Sequence, residues 1–405
     1  MQTNPMRVLV INSGSSSIKY RVYDMSPETL LVSGHIERIG DNTSVSIYRQ
    51  HNTSGDIVEH QENNPIPDHA AGLQHIVASL NDSGLLDSSG SLSAIGHRVV
   101  HGGEAFKTPT RINDSVMDGI RNMIPLAPLH NPANLSGIEA MHRLLPQVPQ
   151  VAVFDTAFFH TLPPHAYRYA IPGEWYLNHQ IRRYGFHGTS HQYVARQAAN
   201  YLQRPLKTLR LITLHLGNGA SASAIRDGVC IDTSMGMTPL EGLIMGTRCG
   251  DLDPSVHFFL ARTLGMTLDE IETLLNHDSG MKGLCGVSDM REVHQLANKG
   301  DEQAQLAIEM FCYRIGKYIG AYYIALGGLD ALIFTGGIGE NDSLVRQSVC
   351  NRLSVLGITL DQTQHPATPG EPVMISGKDS NIKVLVVPTN EELEIARQVV
   401  STISG

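Results

Sequence analysis

The chain repeats one pattern 203 residues apart, and that repeat limits the folds open to it. The first copy runs Val8-Leu9-Val10-Ile11-Asn12-Ser13-Gly14-Ser15-Ser16-Ser17-Ile18-Lys19-Tyr20; the second spans Leu211–Ile225, LITLHLGNGASASAI. Each reads as an apolar strand, a turn of small residues and a second, alternating strand. The slide puts Asn12 on His215, Gly14 on Gly217, Val22 on Ile225 and Asp24 on Asp227, with no gap. Glycines in such turns permit positive φ and close backbone approach, and converging turn amides form an anion site. A single glycine turn is equally well read as an ordinary hairpin. Two copies point to a duplicated βαβ-type unit of about 200 residues, with a nucleotide held in the cleft between the halves.

The length, 405 residues, suits two domains. A net charge of −9 speaks against a nucleic-acid partner, which would select a basic face. The five cysteines have no CxxC spacing, so neither a disulfide framework nor a zinc site is expected, and a reducing cytoplasm is. The polar N-terminus leads directly into a strand, without the look of a secretory leader. Tyr318–Gly339 has Asp330 as its only charge, but Gly327-Gly328 interrupts it. Ile308, Phe311, Ile315, Ile319 and Tyr322 recur at helical steps, so a buried helix and then a buried strand are expected rather than a membrane span.

Along the chain, 8–36 gives the first hairpin and a third strand, 40–68 reads as a polar surface loop, 69–80 as a helix, and 81–93 as a loose Ser/Gly connection. Ala94–Gly103 is an apolar strand carrying Arg98; a buried arginine needs an anion, either a structural carboxylate or a ligand. Asn131 and Pro132 suit the start of a helix, which leaves His130 beside its N-terminus, a place that favours anions. Val151–Thr156 is a short buried strand ending in Asp155, where an α/β sheet opens on its ligand crevice; a helix-capping role is the alternative.

His187 and His191 are four apart, but Gly188 intervenes and the Glu of HExxH is missing. His187 therefore suits contact with a charged ligand better than metal binding. Thr238-Pro239-Leu240-Glu241 has the form of a capping box, with the helix it opens ending at Met245–Pro254, and Asp253-Pro254 opening another. Arg248 lies in that glycine-bounded loop. Ser288-Asp289-Met290-Arg291 starts a further helix, as a simple N-cap or as ligand contact. Leu332–Asn341 reads as strand, glycine turn and helix, a nucleotide-cradling arrangement. Lys383–Val387 is a last strand. Thr389 and Glu392 fit a capping box, which leaves Glu391 as the carboxylate available to a metal.

In sum these strings resemble the acetate kinase family, within the actin, sugar-kinase and Hsp70-like ATPase superfamily. The strings are Val10–Ser17, His97–Gly103, Pro128–Pro132, Tyr184–His191, His215–Ser221, Met245–Pro254, Phe334–Asn341 and Thr389–Leu393, in order over nearly the whole chain. Two details depart from the family pattern: Ser13 stands where Ala or Cys is common, and Phe159-His160 where a His-Gln pair is common.

The resemblance implies an α/β fold of two duplicated ribonuclease-H-like (actin-like ATPase) domains with a cleft between them. It implies an acyl- and metal-side domain of residues 1–155 plus 388–405, to which the C-terminal helix returns, and a nucleotide-binding and dimerisation domain of 156–387. The implied reaction is ATP + acetate ⇌ ADP + acetyl phosphate, with Mg²⁺ or Mn²⁺, in a cytoplasmic homodimer without nucleic acid or membrane. Carried over by position, Asn12 and Glu391 belong to the metal. Lys19, His215, Leu216, Gly217, Asn218, Gly219, Asp289, Met290, Arg291, Gly337, Ile338, Gly339, Glu340 and Asn341 belong to ATP. Arg98 holds the acyl carboxylate; Val100, Leu129, His130, Phe186 and Pro239 surround the acyl group. Asp155, His187 and Arg248 are catalytic.

Acetate is ionised at neutral pH, since carboxyl pKa values lie near 4, so Asp155 is expected to orient rather than to act as a base. Val100, taken to share a strand face with Arg98, is expected to crowd an acyl chain one carbon longer. Three rivals remain. A propionate kinase would share these motifs. A sugar or polyol kinase would need a polar pocket and a base for a hydroxyl. An Hsp70-like binding module would need a separate peptide-binding domain, for which no residues remain.

Overall fold

The computed structural model describes residues 6–52, 56–86, 92–361 and 370–405. These divide into two compact units, one of Met1–Phe158 with Asn390–Gly405 and one of Phe159–Thr389.

Unit 1 is built on strands β1 (Arg7–Ser13), β2 (Ser17–Asp24), β3 (Thr29–Glu37), β4 (Val45–His51), β5 (Ile57–Glu62), β6 (Ala94–Val99), β7 (Thr110–Arg111) and β8 (Gln150–Phe154). Their spatial order is β5-β4-β3-β2-β1-β6-β8-β7, with β1, β6 and β8 parallel and the rest antiparallel. The stretch 40–68, expected as a loop, instead supplies the β4–β5 hairpin that widens the sheet: β5 is exposed along its whole length, so its polar sequence hid a real strand. Of the Ser/Gly connection at 81–93, residues 87–91 lie outside the described residues.

Unit 2 carries β9 (Arg210–Leu216), β10 (Ala220–Arg226), β11 (Val229–Thr233), β12 (Ala331–Thr335), β13 (Val373–Met374) and β14 (Lys383–Val386), in the order β11-β10-β9-β12-β14-β13. Strand for strand this is the unit-1 sheet without its two outer strands. The register repeats as well. Leu9 pairs with Val22 and Ile95, and Ile212 with Ala224 and Leu332. Ala152 pairs with Thr110, and Val386 with Val373. One detail corrects the gapless slide. Four residues separate the facing pair Ser13 and Ile18, but three separate the facing pair Leu216 and Ala220. Val22 therefore corresponds to Ala224, not Ile225. The second turn is one residue tighter, and neither Gly217 nor Gly219 in it adopts the positive φ that the sequence allowed.

Alternation along each strand separates two buried faces. In unit 1, Leu9, Ile11, Ile18, Tyr20, Val22 and Ile95 join Leu73, Ile76 and Leu80 of helix His69–Asp82 and Met141 of helix Asn131–Leu144 in one core. The opposite face of β1, β6 and β8 is covered by helix Glu391–Ser404. A Cβ on Gly96 would sit 2.7 Å from Val399 and 2.9 Å from Ile395, so glycine lets that helix lie flat on β6. In unit 2, helix Glu302–Leu326 packs on β9 and β10, while helix Gly188–Tyr201 packs on β9 and β12. Each sheet is thus covered on one face by a helix that follows the other sheet in the chain. No helix among the described residues is long and apolar enough to cross a membrane.

Candidate active site

Unit 1 gathers its charged groups where β1, β6 and β8 end. Arg98 points from β6 with its side chain 19% exposed. Its Nε donates to Asp155 Oδ1 at 3.0 Å and its Nη2 to Asp155 Oδ2 at 2.6 Å, a fork-on-fork pair. Nη1 donates to Asn12 Oδ1 at 3.4 Å, and Glu391 Oε2 lies 3.9 Å from Nε. Burial works against the charged guanidinium, but Asp155 and Glu391 outweigh it and raise the Arg98 pKa above its ordinary value. For Glu391 burial wins: despite Arg98 nearby, desolvation and the Asp155 charge push its carboxyl up to about 7. Lys19 stands opposite Asn12 in the β1–β2 register and lowers that value slightly. Lys19, expected with the nucleotide, is placed in this unit-1 cluster.

Glu391 owes its position to an N-cap one residue later than expected from Thr389 and Glu392. The helix begins at Glu391; Asn390 is its cap, accepting from the Leu393 amide at 3.1 Å. Asn390 Oδ1 also accepts from Arg21 and Tyr23, each at 3.0 Å. Glu392 pairs with Arg21 at 3.5 Å instead of closing a capping box. At Asn131 the shift runs the other way: His130 occupies the N-cap, and the Asn131 amide bonds both the N–H and the C=O of His101, fixing the loop after β6. Val100 is buried but lies just past β6, so the shared-strand-face expectation does not apply; its N–H donates to Asn134 Oδ1 at 3.0 Å. Leu129 is 48% exposed.

Unit 2 holds two neighbouring arrangements. The first is a cavity of about 900 Å³ lined by Gly217, Asn218, Ser288, Asp289, Met290, Arg291, His294, Gly337, Ile338, Asn341, Asp342, Ser343 and Leu344. Eight of these are residues expected at ATP. His294, Asp342, Ser343 and Leu344 were not singled out; for the last three, the start of helix Ser343–Arg352 right after the short helix Gly336–Asn341 was the available signal. His294 Nε2 and Asp342 Oδ2 lie 2.7 Å apart. Asp289 caps helix Met290–Asn298 and pairs with the exposed Arg291. Leu216 and Gly339 are buried, and the Glu340 carboxylate turns back to accept from the Gly336 and Thr389 amides at 2.9 and 3.0 Å. These three shape the turn rather than line the cavity.

The second arrangement surrounds the Gly217–Gly219 turn. A Cβ on Gly219 would lie 3.4 Å from Arg248 Nη2 and 3.4 Å from His187 Cε1 and Nε2. His187 adopts φ 60° immediately before helix Gly188–Tyr201, a left-handed turn that swings its ring over His215, with centroids 4.3 Å apart. Arg248 Nη1 donates to the Pro239 carbonyl at 2.8 Å; burial alone shifts its pKa, downward. Thr238–Glu241 forms no helix. Glu241 instead accepts from Arg183 and Tyr169, which fastens the loop that carries Pro239. Helix Ser255–Leu264 does begin after Pro254. Phe186 is buried, and Phe159, of the departing Phe-His pair, packs edge-on against His191.

Such guanidinium and imidazole groups beside a glycine turn suit an anion whose charge is spread over several oxygens. A family model for acetokinases matches residues 7–397. The chain belongs to the acetokinase family. As a member it is a kinase, a phosphotransferase using ATP and ADP. It is 52% identical over 399 residues to an acetate kinase of Syntrophobacter fumaroxidans, covering 98% of this chain and 97% of that one. With an acetate kinase of Streptomyces avermitilis it shares 53% over 395 residues, covering 98% and 97%. Among acetokinase structures, that of Porphyromonas gingivalis acetate kinase matches with a TM-score of 0.88 at 43% identity, over 98% of this chain and 100% of that one. A propionate kinase from Francisella tularensis matches with a TM-score of 0.90 at 42% identity, over 97% and 98%. The two units are accordingly the duplicated actin-like ATPase fold of acetokinases.

Proposed function

We propose that this chain reversibly transfers the γ-phosphoryl group of ATP to acetate, giving acetyl phosphate and ADP. The observation that carries the proposal is the approach of Arg248 Nη2 and His187 to the Gly219 turn, in the unit whose cavity is lined by glycine turns. Phosphoryl transfer rests mostly on positioning and on neutralising the equatorial oxygens. In the nucleotide unit, 156–387, Met290 and Ile338 offer apolar walls to the base, and the Gly217 and Gly337 backbones lie along the phosphates. In the acyl unit, 1–155 with 388–405, Arg98 takes the acetate carboxylate, with Val100, Leu129 and His130 nearby. Phe186 and Pro239, of unit 2, are further candidates for contact with the acyl group.

An acetate oxygen attacks the γ-phosphorus, the O–P bond forms, and the bond to the β,γ-bridging oxygen breaks with its electron pair leaving on ADP. No proton moves, so no base is required. Asp155 clamps Arg98. Arg248 and His187 donate to the transferring oxygens.

The side-chain oxygens of Asn12 and Glu391 suit a hard divalent cation, which takes oxygen ligands. Two carboxylates face one guanidinium there, and burial, with the Asp155 charge, pushes Glu391 up to about 7. Among the described residues no three His, Cys, Asp or Glu side chains form a closed metal cage. Mg²⁺ typically pairs one or two carboxylates with waters and substrate phosphates. When bound, Mg²⁺ or Mn²⁺ would offset phosphate charge; Asn12 and Glu391 would hold it, the latter through water.

We further propose a cytoplasmic homodimer, paired through unit 2. Helix Ser255–Leu264 buries none of its residues, and its Phe258 and Phe259 are 58% and 59% exposed, an apolar face suited to a second copy. Phe258→Glu should yield a monomer in sedimentation; an unchanged mass would remove the proposal.

Trapping acyl phosphate with hydroxylamine, with acetate, propionate and a sugar offered in parallel, tests the reaction. Acetate turnover is expected to exceed propionate. A propionate preference, the second reading supported by the likeness to the Francisella protein, would reassign the substrate, and no acyl hydroxamate from either acid would overturn the proposal.

A further inference from the structure

One carboxylate oxygen in unit 2 receives three donors, two from the start of a glycine turn and one from the end of the unit. Glu340 Oε1 accepts from the Gly336 amide at 2.9 Å, from the Thr335 hydroxyl at 3.3 Å and from the Thr389 amide at 3.0 Å. The Glu340 backbone is held as well: buried Arg346 donates through Nη1 to the carbonyls of Gly339 and Glu340, each at 2.9 Å. Gly336, at φ 77°, is pressed against the neighbouring hairpin, where a Cβ would lie 2.7 Å from the Leu216 carbonyl oxygen. Gly337, Ile338 and Asn341 of this turn line the cavity, and Glu340 anchors them without lining it.

The Thr389 amide needs such an acceptor because of what precedes it. The ladder between β12 and β14 runs on to Val387, whose N–H donates to the Phe334 carbonyl at 2.9 Å. Pro388 has no N–H to give. Thr389 therefore offers the first backbone donor beyond the ladder, and a donor sheltered from water has to be paired. The Thr389 hydroxyl meets Ser190 Oγ at 2.8 Å. Thr389 is the last residue of unit 2; Asn390 and Glu391 open the helix that belongs to unit 1. Asn390 is fixed there by Arg21 and Tyr23. No slack linker separates the glycine turn from Glu391: Thr389 is tied to the turn, and Asn390 is tied to its own sheet.

We propose that Glu340 is a positioning residue rather than a nucleotide ligand: through Oε1 it ties the glycine turn to the start of the helix that carries Glu391. The inference rests on the reading of the Gly336–Asn341 turn as a seat for the nucleotide. An occupant that steadies the turn then steadies Thr389 through the shared oxygen, and with it the approach to Glu391. The coupling is reciprocal, as any coupling between two binding events is. Position alone assigns Glu340 to ATP; its carboxylate instead serves the protein's own amides.

Amide hydrogen exchange of the full-length enzyme, with and without saturating ADP, tests the tie alongside steady-state kinetics. In wild type, ADP should slow exchange in peptides over 336–341 and also over 389–393. Glu340→Gln keeps a carbonyl oxygen for the amides, so it should retain both effects and stay within about threefold of wild type in kcat and KM. Glu340→Ala should keep the slowing at 336–341 once ADP saturates but lose it at 389–393. Its KM for ATP should rise about tenfold, the order expected for orphaned amides. Thr389→Val removes the hydroxyl on Ser190 and leaves the amide on Glu340, so the ADP effect at 389–393 should survive. Slowing at 389–393 that persists in Glu340→Ala overturns the proposal. A Glu340→Gln enzyme as impaired as Glu340→Ala also overturns it, by assigning the charge itself to a ligand. Should Glu340→Ala not fold, loss of the effect at 389–393 in Glu340→Gln or Thr389→Val overturns it equally. If ADP slows neither peptide in wild type, the nucleotide reading of the turn falls. Slowing at 336–341 alone leaves that reading standing and overturns the tie.

Discussion

Arg98 grips Asp155 with two parallel hydrogen bonds, Nε to Oδ1 at 3.0 Å and Nη2 to Oδ2 at 2.6 Å. A carboxylate held this way is committed to orienting a cation. Asp155→Asn should therefore leave every limb of the pH–rate profile in place while lowering kcat/KM for acetate by about 10²-fold or more. It should also lower stability by roughly 3–5 kcal/mol, the usual cost of breaking a buried pair from one side. Disappearance of one titrating limb, with chemistry rate-limiting, would restore a proton-accepting role.

Arg248 differs from Arg98 in its partner: a carbonyl, Pro239, at 2.8 Å. Its charge is left for the reaction to use. Arg248→Ala is expected to lower kcat by about 10³-fold, in the range of cationic fingers elsewhere, with a smaller effect on the KM for ATP. Steady-state kinetics at saturating acetate decide this. A change confined to KM would make Arg248 a ground-state binder.

Val100 is buried, and its N–H is tied to Asn134, so Val100→Ala should change side-chain volume without moving the backbone. One methylene is worth roughly 1–3 kcal/mol of discrimination, about 10–200-fold. The variant should raise kcat/KM for propionate while leaving acetate nearly unchanged. An unmoved ratio would mean that another residue sets acyl length.

His97 is fully buried against Gln150, 2.7 Å away, and burial lowers its pKa to about 4. Its folded value is depressed, so its contribution is present in full above the unfolded value near 6.5 and is lost as pH falls toward 4. The loss is on the order of 3 kcal/mol. Urea denaturation at pH 7 and pH 5 should show a smaller acid-side loss in His97→Gln than in wild type. Equal losses would exclude His97 as a source of the acid limb.

Glycine turns and apolar strands were readable because their chemistry is local. Val8–Ile11 and Leu332–Phe334 can hardly be anything but buried strands, and Gly217 and Gly337 line the unit-2 cavity. What escaped was decided at a distance. The β4–β5 hairpin is polar because it borders the sheet. Thr389 looked like a cap, but its hydroxyl is spent on Ser190 at 2.8 Å, and the role passed to Asn390. Glu241 looked like the end of a capping box, but Arg183 and Tyr169 claim it from over 50 residues away. The link from Glu340 to the Thr389 amide joins the glycine turn to a residue 49 positions on, and no spacing in the sequence marks it.

The helices that cover the two sheets have one more consequence. Glu391–Ser404 closes the first sheet yet is made only after the whole second sheet, and Gly188–Tyr201 closes the second yet is made before any of its strands. Neither half of the gene therefore encodes a self-sufficient body. On the ribosome the first sheet waits, with the β6 face around Gly96 uncovered, until residues 391–404 have emerged. Once the copies had traded their closing helices, loss of either copy would have left the other open, so the doubling could no longer be undone.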